Sequence, residues 1–86
     1  MYYVYVLQNP KTGALYYGFS TDLRNRVKRH QAVEHPGWML AYYEAYREER
    51  DARLRERMLK HYGSARTKLK TRLAHNLKFE GFERAG

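Results

Sequence analysis

Two short runs of β-branched and aromatic residues open the chain. Residues 2–7 (YYVYVL) and 14–19 (ALYYGF) both read as strands. The stretch between them, Gln8-Asn9-Pro10-Lys11-Thr12-Gly13, is turn chemistry, since proline fixes φ and glycine tolerates positive φ. Together they predict a β-hairpin. Helical spacing takes over next. Ser20 or Thr21 is placed to cap a helix, with Asp22 in its positive first turn and Leu23 and Val27 as its core stripe, running to about residue 32. Glu34-His35-Pro36-Gly37 reads as a loop, and residues 38–46 as a third strand. A second helix is expected over about 48–62, stopped by Gly63. A third follows over about 65–74, capped by Ser64 and carrying Leu69 and Leu73 at i, i+4. Residues 1–77 form the expected domain, and residues 78–86, with little pattern, a loose tail.

The order β-β-α-β-α-α restricts the topology. A short hairpin makes the first two strands antiparallel. The first helix then carries the chain back, so the third strand runs parallel to the second and must pair with the first. The expectation is an α+β fold with a three-stranded antiparallel sheet, order 2-1-3, flanked by three helices. Alternation puts Tyr3, Tyr5 and Leu7 on one face of the central strand and Tyr2, Val4 and Val6 on the other. On the second strand Tyr16 and Gly18 share a face, so the hairpin can bring Tyr5 and Tyr16 together, in a register that the pattern leaves open. Arg26 and His30, i, i+4 neighbours on the first helix, sit at the margin of its buried stripe and look over the sheet edge.

Composition changes the picture in two ways. The 86 residues include no cysteine, which excludes disulfides and thiolate metal sites and suits a reducing compartment. No apolar run approaches a membrane span, and the expectation is a soluble, cytoplasmic protein with no membrane contact. The charge is the functional clue. Seventeen Lys+Arg against nine Asp+Glu give a net +8, and from Arg57 to Phe79 there are seven basic residues and no acid. Such a domain attracts polyanions, nucleic acid first. Lys60, Arg66, Lys68, Lys70 and Arg72 are the candidate contacts. A solvated basic helix surface is the plainer alternative.

Phosphodiester hydrolysis needs a base for water, a cation for the developing charge, a metal or acid for the leaving oxygen, and a groove. Tyr5, Tyr16, Arg26, His30 and a carboxylate of the second helix could supply these. Taken singly, each has a plainer reading: core aromatics, a surface charge, a helix-end histidine.

The set taken in order resembles a known family. Tyr3-Val4-Tyr5, then Tyr16-Tyr17-Gly18, then Asp22-Leu23-x-x-Arg26-x-x-x-His30 is similar to the GIY-YIG nuclease domain. Tyr42-Tyr43-Glu44 looks like the third-strand signature of its small single-domain members, and Ala52-Arg53-Leu54-Arg55-Glu56-x-x-Leu59-Lys60 like their second helix. The resemblance covers roughly residues 2–77. Tyr3 stands where the first glycine of the name motif would be, and Tyr17 at the middle of the second triplet. The resemblance implies paired active-site tyrosines at Tyr5 and Tyr16, an arginine on the scissile phosphate at Arg26, and a hydrogen-bonding histidine at His30. It also implies Glu56 as the single carboxylate ligand of a divalent metal, Mg²⁺ or Mn²⁺. Asn76 is the one candidate for an asparagine that family members carry near the domain end. One glutamate can suffice for a hard cation that keeps most of its waters. Tyrosine is a poor base unless Arg26 and a metal lower its pKa. Tyr5, Tyr16 and His30 all remain candidates for the base.

The function this implies is a metal-dependent endonuclease acting on DNA, with RNA the other possible nucleic acid and no small-molecule cofactor. With no second domain in these residues, reading of DNA structure is expected over reading of sequence, as in repair. The competing expectations are a basic nucleic-acid-binding module without chemistry, and a structural domain whose tyrosines are simply core.

Overall fold

The computed structural model describes residues 1–77, so the expected tail at 78–86 lies outside the described residues. The elements are β1 (Tyr2–Gln8), β2 (Leu15–Ser20), α1 (Leu23–Arg29), β3 (Met39–Tyr46), α2 (Glu49–His61) and α3 (Gly63–Arg72). The sheet order is β2-β1-β3, and both pairings with β1 are antiparallel. The fold is therefore α+β with the expected β-β-α-β-α-α order. Among the described residues no helix is long and apolar enough to cross a membrane.

Asn9 organises the hairpin loop. Its Oδ1 accepts from the Lys11 and Thr12 amides at 2.8 and 3.2 Å, and Gly13 takes the positive φ of 79° that closes the turn. The resulting register sets Gly18 opposite Tyr5 and Tyr16 opposite Leu7. That answers the question left open by alternation: Tyr5 and Tyr16 share a face.

Each face of the sheet has its own core. Val4, Val6 and Tyr17 pack with Ala52 and Leu59 of α2 and Ala65 and Leu69 of α3. Tyr5 and Leu7 pack with Val27 and Leu23 of α1, Tyr16 and Trp38. The sheet is thus sandwiched between α1 on one side and the α2–α3 pair on the other. A bulge in β3 between the Val6 and Leu7 positions leaves Ala41 out of the ladder, and the Asn76 amide donates to its carbonyl at 3.4 Å.

Three local expectations are corrected. Asp22, not Ser20 or Thr21, caps α1. Its Oδ1 accepts from the Asn25 amide and its Oδ2 from the Asn25 side chain, while Ser20 Oγ accepts from the Asp22 amide. Gly63 does not stop α2 with a left-handed residue. The chain breaks at Tyr62 in an extended conformation (φ −118°, ψ 115°), and Gly63 opens α3, so Ser64 lies inside the helix instead of capping it. The first helix does not end near residue 32 as an α-helix. It widens into a π-helical turn over His30–Glu34, closed by the His35 amide donating to the His30 carbonyl.

Candidate active site

The site begins with a missing side chain. Gly18 faces Tyr5 across the ladder, and the Tyr5 ring lies directly over it. A Cβ at Gly18 would stand 2.8 Å from Tyr5 Cε1 and closer still to Cζ and Oη. Only glycine lets the phenol lean across β2 toward α1. The ring is then fully buried, 0% exposed, with its oxygen held at two points. His30 Nε2 lies 2.8 Å from Oη, and Arg26 Nε donates to Oη at 3.4 Å.

Donor chemistry fixes the protons. Arginine only donates, so the Tyr5 hydroxyl accepts from Arg26. His30 Nδ1 faces Glu34 Oε2 and His35 Nδ1, each at 3.2 Å. A carboxylate only accepts, so the imidazole proton sits on Nδ1 toward Glu34, and Nε2 accepts from the Tyr5 hydroxyl. Burial pushes the His30 pKa below its ordinary 6.5, helped by Arg26, His35 and Arg29 and opposed by Glu34. A neutral imidazole results, with both nitrogens engaged. His30 is 0% exposed, so it is a buried strut and not the group at the margin that helical spacing suggested.

Burial also raises the Tyr5 pKa, and the Arg26 hydrogen bond and charge, which pull the other way, do not outweigh it. Among the groups present, the expected lowering of a site tyrosine by Arg26 is therefore not found at Tyr5. Arg26 itself is half-buried, and the hydrogen bond to Tyr5 and the charges around it raise its pKa, holding it as a cation. With Nε directed at Tyr5, its Nη groups are the donors left for an anion.

Tyr16 completes the cluster from β2. Its ring centroid is 6.4 Å from that of Tyr5, 4.9 Å from His30 and 4.8 Å from His35. Unlike Tyr5 it is only partly buried. Glu56 and Lys60 approach from α2, around the free edge of β2. Glu56 Oε2 is 3.0 Å from Lys60 Nζ, with the Glu56 side chain 18% exposed, and Lys60 Nζ stands 5.9 Å from the Tyr16 ring centroid. Glu56 is thus linked to the cluster through Lys60. Among the described residues no group of three or more His, Cys, Asp or Glu is placed to hold a metal ion. Asn76 sits with β3, at the opposite edge of the sheet.

The structure therefore joins Tyr5, Tyr16, Arg26 and His30 and brings Lys60 and Glu56 alongside. The remaining basic candidates lie elsewhere. Arg66 Nη1 donates to the Leu59 and Lys60 carbonyls, both at 3.0 Å, closing the end of α2. Lys68, Lys70 and Arg72 are exposed on α3, in the layer across the sheet from α1.

Sequence reasoning missed His35 and Trp38, whose rings are 4.7 Å apart and close the cluster behind Tyr16. In an α-helix residues 30 and 35 stand about 140° apart. The i→i+5 bond of the π turn closes nearly one full turn between them and brings the two imidazoles together. A helix end crowded with His, Glu, His, Pro and Gly was the available signal.

No curated protein and no solved structure shows significant similarity to the chain. The family model of the GIY-YIG catalytic domain matches residues 1–70 of the 86, and with the tyrosine, arginine and histidine positions of that motif now joined in space, the chain belongs to the GIY-YIG family of nucleases.

Proposed function

We propose that the protein is a metal-dependent endonuclease that hydrolyses DNA phosphodiester bonds and selects DNA by its structure. The observation that carries this reading is the node at Tyr5. A buried phenol aims Arg26 on one side and is locked by His30 on the other, beside the partly exposed Tyr16.

The roles follow from access and protonation. Tyr5 is sealed from solvent and its proton is held by His30, so it orients the Arg26 guanidinium and does not take a proton from water. His30 has both nitrogens occupied within the protein. That leaves Tyr16 as the site group that meets water and substrate, and Arg26 as the cation for charge developing on the scissile phosphate. Lys60 adds a second cation on the same side. Glu34 is tied to His30, so the carboxylate assigned to a metal is Glu56, and one such ligand suits a hard ion such as Mg²⁺ or Mn²⁺ that keeps most of its waters. When bound, such an ion neutralises charge on the leaving oxygen. The Lys60 ammonium, now 3.0 Å from Glu56 Oε2, competes with a metal for that oxygen. Family membership supports a nuclease acting on nucleic acid with a divalent metal in general terms. The net charge of +8 suits a polyanion such as DNA.

The test is cleavage of supercoiled plasmid and of branched DNA with Mg²⁺ or Mn²⁺. Tyr16→Phe, Arg26→Ala and Glu56→Ala are each expected to lower the rate by about a hundredfold or more. Equal background cleavage by wild type and all three variants would leave the binding module without chemistry as the better account.

A further inference from the structure

The flank of α1 turned away from Arg26 also carries cations, Arg24 and Lys28. Arg26 and His30 project from α1 toward β2. Arg24 and Lys28, i, i+4 partners, project from the other flank toward β3. There a groove of about 530 Å³ is lined by Tyr3, Leu40 and Tyr43 from the sheet, together with Leu23, Arg24 and Lys28 from the helix. Tyr43 pairs with Tyr5 in the β1–β3 ladder, so it stands on the same face as the site.

Three features identify the occupant. Tyr43 is 50% exposed and Leu40 is 38% exposed, so the apolar floor of the groove is open to solvent. Tyr3 meets Tyr43 edge-on, with centroids 6.0 Å apart at 64°, which fixes the Tyr43 ring and leaves it able to take a flat partner. Arg24 and Lys28 are exposed and form no ion pair among the described residues, so the rim is cationic. The carboxylate of Asp22, also on the lining, caps α1 through the Asn25 amide and side chain, and the two cations of the rim outnumber it. A cationic rim over an aromatic floor is the chemistry of single-strand recognition, in which phosphates meet the rim and a base stacks on the ring.

We propose that this groove binds an unpaired base of a DNA strand whose scissile phosphate lies at Arg26. The claim rests on the nuclease reading and gives it a source of structural selectivity. A helix with its side chains is about 10 Å across, so the base in the groove is separated from the cut by the width of α1 and is not the nucleotide being cleaved. A fully paired duplex cannot offer it without breaking a pair, whereas a flap, fork or single strand can.

The experiment is metal-free fluorescence anisotropy, which reads binding without cleavage, on a single strand, a fork and a fully paired duplex. Tyr43→Ala is expected to weaken the single strand and fork by about five- to a hundredfold, the range for loss of one stacked base. Duplex binding should stay unchanged and Tyr43→Phe should restore the loss. Arg24→Ala and Lys28→Ala are each expected to lower the salt dependence by about one phosphate contact. Circular dichroism and melting of Tyr43→Ala establish that the edge strand still folds, and Tyr43→Leu offers a second variant if it does not. Equal losses on duplex and single strand overturn the proposal, as does no loss on either while wild type still binds; in both cases the nuclease reading stands. A wild-type protein that binds none of the three DNAs at low salt overturns both. A concentration-dependent dimer abolished by Tyr43→Ala would assign the face to a second copy of the chain and also overturn it.

Discussion

Gly18 shows how much of this site depends on single atoms. The phenol of Tyr5 occupies the space a Cβ would take, and it cannot yield, because His30 and Arg26 hold its oxygen and its ring is buried. Gly18→Ala is expected to destabilise the fold by about 1–3 kcal/mol, the cost of overpacking, and to abolish cleavage with it. Gly63 gives the contrast. It has no positive φ, and its nearest neighbour would be Arg66 Nη2 at 3.7 Å, so Gly63→Ala should be neutral or stabilising by up to about 1 kcal/mol. Urea unfolding of the two variants measures both. His30 makes a second residue-scale prediction. Its folded pKa lies below the 6.5 of an exposed histidine, so below that pH the unfolded chain binds more protons than the folded one. Its contribution to stability is therefore complete above about pH 6.5 and lost as pH falls beneath it. The groups facing it are Glu34, His35 and Arg29 on its own helical segment, Arg26 one turn back, Tyr5 on β1 and Tyr16 on β2. Unfolding midpoints taken from about pH 7 to 5.5 should fall for wild type and stay flatter for His30→Gln. Tyr5, Tyr16, Arg26 and His30 were legible in the sequence through the family motif, with which strand alternation and the i, i+4 relation of Arg26 and His30 agree, although spacing left His30 at the margin of a stripe in which it is buried. His35 was not, because an α-helical period misplaces any residue beyond a π turn.

At the scale of elements, a polar clamp fixes α2 to the sheet. Glu44 of β3 accepts from Arg55 Nε at 3.0 Å and Nη2 at 3.1 Å, from the Tyr42 hydroxyl at 2.9 Å, and from the Tyr46 hydroxyl. Burial pushes the carboxyl pKa up, but Arg55, Tyr46 and Tyr42 together pull it below the usual carboxylate range. The Tyr46 phenol is pushed up to about 12, by burial first and then by the bond to Glu44. Arg55 is the residue before Glu56, so the clamp also sets the turn of α2 that presents the metal-ligand candidate. Glu44→Gln is expected to cost about 1.5–3 kcal/mol, as for hydrogen bonds to a charged group. Glu49→Gln, which breaks an exposed pair with Arg53 at 3.1 Å, should cost less than about 1 kcal/mol. Thermal melts of the two variants decide between them. The clamp was visible beforehand only as a motif, Tyr42-Tyr43-Glu44, whose purpose needed the α2–β3 packing. Helix ends were read less well than helix existence. Ser20, Thr21, Asp22 and Ser64 are all competent caps, and local sequence does not rank them, while the break at Tyr62 comes from packing α3 back on the sheet.

At the scale of the molecule, the basic run after Arg57 is not one patch. About 100° of turn per residue sends Lys68 and Arg72 to one side of α3 and Arg66 and Lys70 to another, and Arg66 is consumed by the end of α2. The whole helix lies in the layer across the sheet from Tyr5 and His30. Count and sign of charge were legible in the sequence; which face carries it was not, because that depends on which layer each helix joins. On the proposed reading the α3 cations, which form no ion pair among the described residues, attract DNA at long range, whereas Lys60, 5.9 Å from the Tyr16 ring centroid, serves the site itself. The two roles separate kinetically. Neutralising Lys68 and Arg72 together should raise KM and lessen its salt dependence, with kcat changed little, because the contacts they lose are the same in ground and transition states. Lys60→Ala should lower kcat if its ammonium serves the developing phosphate charge. It should also lower the Mg²⁺ concentration needed for half-maximal activity, since Glu56 Oε2 is then released from its ion pair. Steady-state kinetics at two salt concentrations, with Mg²⁺ titrated at each, would measure all three quantities. A fall in kcat for the Lys68, Arg72 pair equal to that for Lys60→Ala would place α3 on the substrate at the moment of cleavage, contrary to the layering found here.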